Sequence, residues 1–421
     1  MRGNYFTPAV CRMVLITLSS LLLLMGRDSM LYAAFLLASS VILAYEPVSI
    51  IPLMLISSIS SSISIVPGFS AFYYYEYLFV LSCVFRTQAR MRLTIYSISI
   101  FIYMFWILAC SVNSLSGDIT AGVKMCIALL PLLLVPVFRF DDKKMMNYLL
   151  ITAIVSSIYI TIKLIFDPML FIPEDYNKFS NVDLQITISK YINPNTVAQA
   201  LFLLYIIIYM YLINNRKWYL LLVALLPILS IVLIGSRTVF VTLLAVSLMM
   251  YLYISRTRMT RKIFFVIIAV FLGSLVYNWV LSINDRLILT SIMDDRGSGR
   301  FDTWQYLFKN VIPTNLMFGI GYGMTNMYDL GFDVDADNMY VDALTQMGVI
   351  GLSFIALILV SIWKRIRRNM EICSQVAVAL IMFVLIAGIG ETMYDTFIFV
   401  FILLYGIISV SSVNKSMLSY D

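Results

Sequence analysis

The chain has 421 residues, of which 61% are hydrophobic and only 12% are charged. Soluble domains carry about 25% charged residues, so this composition excludes a soluble globular protein and predicts an integral membrane protein. The net charge of +6 comes from basic residues that lie between apolar segments, as in other membrane proteins. It therefore needs no nucleic-acid partner to explain it.

Two residue types narrow the possible chemistry. The chain contains no histidine, which excludes the commonest general base, the commonest metal ligand and every nucleophile that a histidine activates. The five cysteines are widely spaced and lie in or beside apolar segments. They indicate neither a disulfide nor a metal site, so the sequence predicts no metal and no cofactor.

Fourteen apolar segments predict membrane-spanning helices. They lie at residues 9–25, 30–45, 48–66, 70–85, 93–113, 120–138, 147–166, 194–213, 218–234, 238–254, 263–280, 341–361, 373–389 and 396–412. The pattern therefore predicts an all-α polytopic membrane protein with a single transmembrane domain over residues 1–421.

Basic residues predict the orientation of these segments. Five basic clusters all fall on one side when fourteen spans alternate from a cytoplasmic N-terminus, as cytoplasmic loops require. Both termini are then cytoplasmic, although omitting one weak span, such as 30–45, would put them on opposite sides. The clusters contain Arg86/Arg90/Arg92, Arg139/Lys143/Lys144, Arg216/Lys217, Arg256/Arg258/Arg261/Lys262 and Lys364/Arg365/Arg367/Arg368.

The opposite side receives two long loops, at residues 167–193 and 281–340. The second loop is rich in arginine and aspartate, whereas the rest of the chain offers few ionisable groups. Loops of this length are uncommon and are usually functional or disordered. We therefore expect residues 281–340 to be the working part of the protein.

Arg237 follows Gly235 and Ser236 in a short turn between two apolar segments, on the same side as the long loops. An arginine at a helix end often extends to the membrane surface without any further role. Ionisable groups at this depth also commonly face a cavity of the helix bundle and serve a function. Both interpretations of Arg237 stay open.

The long loop contains a predicted amphipathic helix that lies in the membrane interface. Ser298 is a candidate N-cap, and Arg300 stands at the helix start, where the helix dipole suits a phosphate. A plain interfacial helix with solvated arginines is the alternative. The apolar residues at helical spacing are Phe301, Trp304, Leu307, Phe308 and Val311.

Glycines and carboxylates follow this helix. Gly319, Gly321 and Gly323 lie outside any βαβ context, which excludes a nucleotide loop and predicts close approach of backbone to backbone or to a ligand. Asp337 and Asp342 flank the start of the next span, where they could accept a proton or orient a sugar hydroxyl. Carboxylates solvated at a helix start are the alternative, and the same caution applies to Glu391 and Asp395.

Taken together, these segments resemble the pattern of the O-antigen ligase/polymerase superfamily of bacterial inner-membrane glycosyltransferases. The resemblance covers residues 193–352 and implies a GT-C-like architecture in the inner membrane of a Gram-negative bacterium. The segments that carry it are Asn193-Pro194-Asn195, Gly235-Ser236-Arg237, Ser298-Gly299-Arg300…Trp304, Pro313…Phe318-Gly319-Ile320-Gly321, Asp337-Asn338-Met339-Tyr340 and Gly348-Val349-Ile350-Gly351-Leu352.

One departure favours the polymerase branch of the superfamily. Ligases with this pattern have a histidine where this chain has Asp337. The resemblance implies that the chain joins undecaprenyl-diphosphate-linked oligosaccharide repeats on the periplasmic face, without metal or nucleotide sugar. It also implies the membrane lipid as a partner, and a chain-length regulator and a flippase as candidate partners.

The resemblance and the physical reading together assign roles. Undecaprenyl diphosphate gains charge as it leaves, so fixed arginines would lower the barrier to displacement at the anomeric carbon, with inversion. Arg237 and Arg300 are the expected clamp, and Asp337 the expected base that deprotonates the acceptor hydroxyl. The expected substrate-binding residues are Arg286, Arg296, Trp304, Tyr340 and Asn195.

Two other functions compete with polymerisation. An O-antigen ligase-like transferase shares the pattern but is disfavoured by the missing histidine. A flippase for the lipid-linked sugar would show two related halves and short loops on both sides, whereas this chain has one 60-residue loop late in its sequence.

Overall fold

The computed structural model of the protein describes residues 8–25, 30–59, 64–66, 69–86, 95–114, 119–135, 140–166, 194–215, 219–254, 300–323, 330, 336–367, 372–393 and 399–408. These residues are almost entirely helical, as predicted. In the part of the chain that the structure describes, five helices are long and apolar enough to cross a membrane: Pro8–Met25, Ile95–Val112, Lys143–Phe166, Asn195–Leu212 and Met339–Lys364. Shorter apolar helices accompany them, so a helical membrane protein fits, while the count of fourteen spans stays a prediction.

The elements follow one another in the order of the predicted segments. They are α1 Pro8–Met25, α2 Met30–Leu43, a 3-10 turn Pro47–Ser49, α3 Ile51–Ile59, β1 Ser64–Val66, β2 Phe69–Ser70, α4 Ala71–Arg86, α5 Ile95–Val112, α6 Thr120–Leu134, α7 Asp142–Phe166, α8 Pro194–Asn215, α9 Leu220–Ile234, α10 Arg237–Ile254, α11 Arg300–Tyr306, a π-type turn Leu307–Val311, α12 Met339–Arg367, α13 Ile372–Ala387 and α14 Phe399–Ile408.

The third predicted segment, residues 48–66, differs from the structure. Helix α3 ends at Ile59, and β1 and β2 then pair as a short antiparallel hairpin. Alternating serine and isoleucine up to Val66, followed by Pro67 and Gly68, favour a strand and a turn over a continued helix. The predicted segment 263–280 and the loop 167–193 lie outside the described residues, as does part of the loop 281–340.

The chain divides into two compact units, each built from two stretches of sequence. One comprises Met1–Ala89 and Phe138–Val239, and the other comprises Arg90–Val137 and Phe240–Asp421. In the first unit, α3 packs against α1, α4, α7 and α8, and all of its residues are buried. In the second unit, α5 packs against α6 and α12, and α12 packs against α13.

Glu46 joins three helix ends of the first unit. Its Oε2 accepts hydrogen bonds from Arg12 Nη1 and, at 3.2 Å, from the Tyr148 hydroxyl, while its Oε1 accepts one from Lys144 Nζ at 3.1 Å. These bonds place the start of α1, the end of α2 and the start of α7 at the same end of the unit. Alternating spans require this arrangement, although which side of the membrane it faces stays a prediction.

Helix α12 of the second unit is broken at Gly348, whose φ of 68° and ψ of −172° are not helical. The break releases carbonyls that a continuous helix would bond internally. Thr345 O accepts from Ile320 N at 2.9 Å, and Gln346 O accepts from Gly321 N at 3.1 Å. The segment that carries the loop glycines therefore takes the place of the missing helical turn.

Glycine makes this approach of backbone to backbone possible. A Cβ on Gly348 would lie 2.2 Å from the carbonyl oxygen of Met317, and one on Gly319 would lie 2.4 Å from the carbonyl carbon of Gln346. Trp106 of α5 closes the break, because its Nε1 donates to Met347 O at 3.1 Å. Of the two contacts predicted for these glycines, backbone against backbone is the one that the structure shows.

We expect Gly348→Ala to lower the stability of the protein by roughly 1–3 kcal/mol or more, since it adds a left-handed strain and a clash with backbone. Gly406→Ala is the matched control, because a Cβ on helical Gly406 meets nothing within 4 Å. This variant should be neutral or slightly stabilising. Thermal unfolding of both proteins in detergent tests the prediction, and equal melting temperatures would contradict it.

Candidate active site

Arg300, the first residue of α11, forms an ion pair with Asp337. Its Nε and Nη2 each lie 3.0 Å from the same oxygen, Asp337 Oδ2. Its Nη1 donates to the carbonyl of Gly390 at 3.0 Å. The structure thus brings together two of the three residues predicted to be catalytic and joins them to the turn that follows α13.

The guanidinium of Arg300 keeps capacity for a second anion. It has five N–H donors, and the contacts to Asp337 and Gly390 use three of them. The side chain is 25% exposed, so the guanidinium is not closed off from an incoming ligand. An anion can therefore bind Arg300 without breaking the ion pair.

Asp337 lies in the left-handed region with φ of 47°, which is unusual for a residue other than glycine. Neighbouring bonds hold this conformation. Trp304 Nε1 donates to the carbonyl of Ala336 at 2.6 Å, and Asn338 follows as a buried helix cap. Such strain costs on the order of 1–3 kcal/mol and is typical of functional sites.

Asn338 is the N-cap of α12. Its Oδ1 accepts from the backbone N–H of Tyr340 at 2.9 Å and of Val341 at 3.1 Å, and its Nδ2 donates to the carbonyl of Ile389 at 2.9 Å. These bonds satisfy two helix N–H groups that would otherwise lack partners. They also fix the turn after α13 to the start of α12.

The carbonyls of this turn, residues 388–391, all accept bonds from the site. Met339 N donates to Gly388 O at 2.8 Å and to Glu391 O at 3.2 Å. The carbonyls of the two residues between them accept the side chains of Asn338 and Arg300. The turn is held at every residue, which fixes the position of Glu391.

Glu391 is a buried carboxyl group beside the ion pair, with 8% of its surface exposed. Burial raises its pKa from 4.5 to about 8; Arg300 lowers the pKa, and Asp337 raises it. Glu391 therefore changes charge near neutral pH, as general acids and bases do. The sequence marks it only as a carboxylate in an outer turn, since no residue pattern reveals its burial.

Asp342, one turn into α12, is fully buried. Its Oδ2 accepts the hydroxyl of Thr392 at 2.5 Å. This bond makes a further link between α12 and the residue that follows Glu391. Asp342 is thus part of the support of the site, and its predicted action on a proton or a sugar stays a prediction.

The segment of the predicted amphipathic helix is helical as α11 and the π-type turn, while its position in the membrane interface stays a prediction. Phe301 and Phe308 are exposed at 47% and 52%, whereas Thr303, Leu307 and Val311, at positions four apart, face the core. The cap predicted at Ser298 lies outside the described residues. The apolar cluster that holds the helix contains Leu307, Val311, Ile312, Ile320, Ala336 and Val341, with Trp304 packed against it.

Three of the expected substrate-binding residues lie among the described residues. Trp304 donates to Ala336, and the hydroxyl of half-buried Tyr340 donates to the carbonyl of Leu385 at 2.9 Å. Asn195 is the second residue of α8 and is half-buried. Contacts of these three residues with the substrate stay predictions.

The remaining predicted cations fall elsewhere. Arg237 is the first residue of α10 and is half-buried. It follows Gly235, whose left-handed φ of 75° ends α9. The clamp formed by Arg237 with Arg300 stays a prediction, and Arg286 and Arg296 lie outside the described residues.

The raised pKa of Glu391 makes the stability of the protein depend on pH. The folded state binds this proton more tightly than the unfolded chain. The proton's contribution to the free energy of unfolding is therefore complete below pH 4.5 and is lost as the pH rises to about 8. The loss amounts to roughly 4–5 kcal/mol at most. Glu391→Gln, which mimics the protonated form, should not show this loss of stability with rising pH.

Melting temperatures of the wild type and Glu391→Gln between pH 5 and pH 9 measure this effect. We expect the two proteins to be alike at pH 5, with the wild type increasingly less stable as the pH rises. Parallel curves over the whole range would show that Glu391 does not hold its proton in this way.

A comparison with known protein families locates the match in the middle of the chain. The model of a family described as O-antigen ligase matches residues 220–356, a stretch that contains Arg237, Arg300 and Asp337. No curated protein matches the chain. The family match, together with the apolar helices, supports a membrane protein of the O-antigen ligase/polymerase superfamily.

Proposed function

We propose that this protein is an O-antigen polymerase of the Gram-negative inner membrane. It joins undecaprenyl-diphosphate-linked oligosaccharide repeats into polysaccharide on the periplasmic face. The match to the O-antigen ligase family supports glycosyl transfer in general terms. The observation that carries the proposal is Arg300, an arginine held by Asp337 and Gly390 with N–H donors left for a diphosphate.

The chemistry follows from the charge of the leaving group. The anomeric carbon is attacked by a hydroxyl of the acceptor sugar, and undecaprenyl diphosphate departs with the bonding electron pair. Arg300 stabilises the negative charge that develops on the diphosphate, because its position is already fixed before reaction. Arg237 is the proposed second cation of this clamp, and Arg286 and Arg296 supplement it.

The acceptor side of the site requires a base and sugar contacts. Asp337 is the carboxylate that the sequence predicts to receive the hydroxyl proton. Its contact with Arg300 also gives it a role in positioning the cation. Trp304 and Tyr340 are proposed to face sugar rings, and Asn195 to bind the substrate. A chain-length regulator and a flippase are the proposed protein partners.

A ligase-like transferase is the second candidate, because the matching family is described as O-antigen ligase. Such an enzyme uses the same donor and the same leaving group but transfers the finished glycan to a lipid acceptor. The two functions differ in the acceptor and therefore in the products that accumulate when the enzyme is lost. Asp337 in place of the ligase histidine favours the polymerase.

Deleting the gene distinguishes the two functions on a gel of cell-surface lipopolysaccharide. Loss of a polymerase should leave core that carries a single repeat unit. Complete absence of attached repeats would instead indicate a ligase, and would contradict the proposed polymerase.

When the deletion strain produces the Arg300→Ala variant at normal protein level, we expect the amount of long-chain polysaccharide to fall by at least 100-fold, because the diphosphate loses a fixed cation. Arg300→Lys should be almost as defective as Arg300→Ala, since lysine lacks the planar fork that holds Asp337 and an anion together. Asp302→Asn, an exposed change in the same helix, is the matched control and should leave chain length unchanged. Normal chains from Arg300→Ala would rule out the phosphate role.

A further inference from the structure

We propose that Glu391 is the catalytic base that takes the proton of the acceptor hydroxyl, and that Asp337 is a positioning residue for Arg300. The proposal rests on the proposed glycosyl transfer and assigns the proton step within the same site. It replaces Asp337 as the base and leaves the role of Arg300 unchanged.

The contacts of Asp337 argue for a positioning role. Its Oδ2 accepts bonds from both Nε and Nη2 of Arg300, each at 3.0 Å, so this oxygen is already committed to a cation. A carboxylate that aims a guanidinium gives direction to the donors left for the diphosphate. Moving Asp337 to collect a proton would release the cation when the leaving group needs it.

Glu391 has the properties that a base in this place requires. The contacts of the described residues include no ion pair to its carboxyl group, whereas Asp337 has one. The four carbonyls of the turn at residues 388–391 are bonded to Arg300, Asn338 and Met339, which fixes the backbone that carries Glu391 beside the ion pair. A base fixed beside the cation lies where acceptor and leaving group must meet.

Among the described residues, the charges that act on Glu391 come from two elements. Arg300 of α11 lowers its affinity for a proton, and Asp337 before α12 raises it. Asp342 of α12 is linked to the neighbouring Thr392 and is the next nearest carboxylate along these contacts. Burial has a larger effect than Arg300, so the pKa of the Glu391 carboxyl group is raised.

The proton step balances as follows. The acceptor oxygen forms a bond to the anomeric carbon while its proton passes to the Glu391 carboxylate. The bond from the anomeric carbon to the phosphate oxygen breaks, and undecaprenyl diphosphate leaves with the electron pair beside Arg300. Glu391 then releases the proton to water, and no oxidant, reductant or further reactant is needed.

The test uses the full-length protein in vesicles with undecaprenyl-diphosphate-linked repeats isolated from a strain that lacks it. Rates at saturating donor are measured from pH 6 to pH 9.5 for the wild type, Glu391→Gln, Asp337→Asn and the control Asp302→Asn. The wild-type rate should rise about tenfold per pH unit below pH 8 and level off above it. Glu391→Gln should lose at least 100-fold and lose this slope, while its melting temperature at pH 8 stays at or above that of the wild type.

Asp337→Asn distinguishes positioning from proton transfer. It should raise the KM for the donor while keeping the slope of the wild type below pH 8. Retention of the wild-type rate and slope by Glu391→Gln, or loss of the slope in Asp337→Asn alone, would overturn the assignment of the base. A wild type that transfers repeats only to a lipid acceptor would overturn the polymerase but still test the base through its slope. A wild-type protein that transfers repeats to neither a glycan nor a lipid acceptor would overturn both proposals.

Discussion

The ion pair between Arg300 and Asp337 is the interaction on which the geometry of the candidate site depends. It joins the first residue of α11 to the residue before the cap of α12, and Nη1 of the same arginine holds the turn after α13. Three elements that are distant in sequence therefore share one cation. Because both partners are only partly exposed, the pair is less screened by water than a surface pair and fixes direction as well as charge.

The break in helix α12 supports the ion pair by holding the segment that follows α11. A continuous helix would use its own carbonyls, and the segment from Leu316 to Gly321 would have no partners there. The break at Gly348 transfers two of these carbonyls to that segment and a third to Trp106 of α5. Within a predicted membrane span, irregular backbone is tolerated only where protein satisfies its polar groups. Here the satisfied break anchors the segment that follows α11.

Local patterns in the sequence predict the helices and single out Arg300 and Asp337, because apolar runs and short motifs are properties of neighbouring residues. Their contact spans 37 residues and depends on a loop path that no periodicity encodes. Glu391 escapes prediction for a related reason, since its raised pKa arises from burial by residues of other elements. The early end of α3 also escapes prediction, because it depends on a hairpin in which only four residues are paired.

Aspartate at position 337 changes the charge of the site compared with the histidine of the ligase pattern. Asp337 neutralises Arg300, so an ionised Glu391 would make this part of the site negative where a diphosphate must bind. Burial opposes that outcome, because it keeps the proton on Glu391 up to a pH of about 8. Below pH 8, most molecules therefore present a neutral Glu391 to the donor, and the fraction in which Glu391 is ionised carries out the transfer. The same burial that limits repulsion of the diphosphate thus gives Glu391 the proton affinity that a base needs.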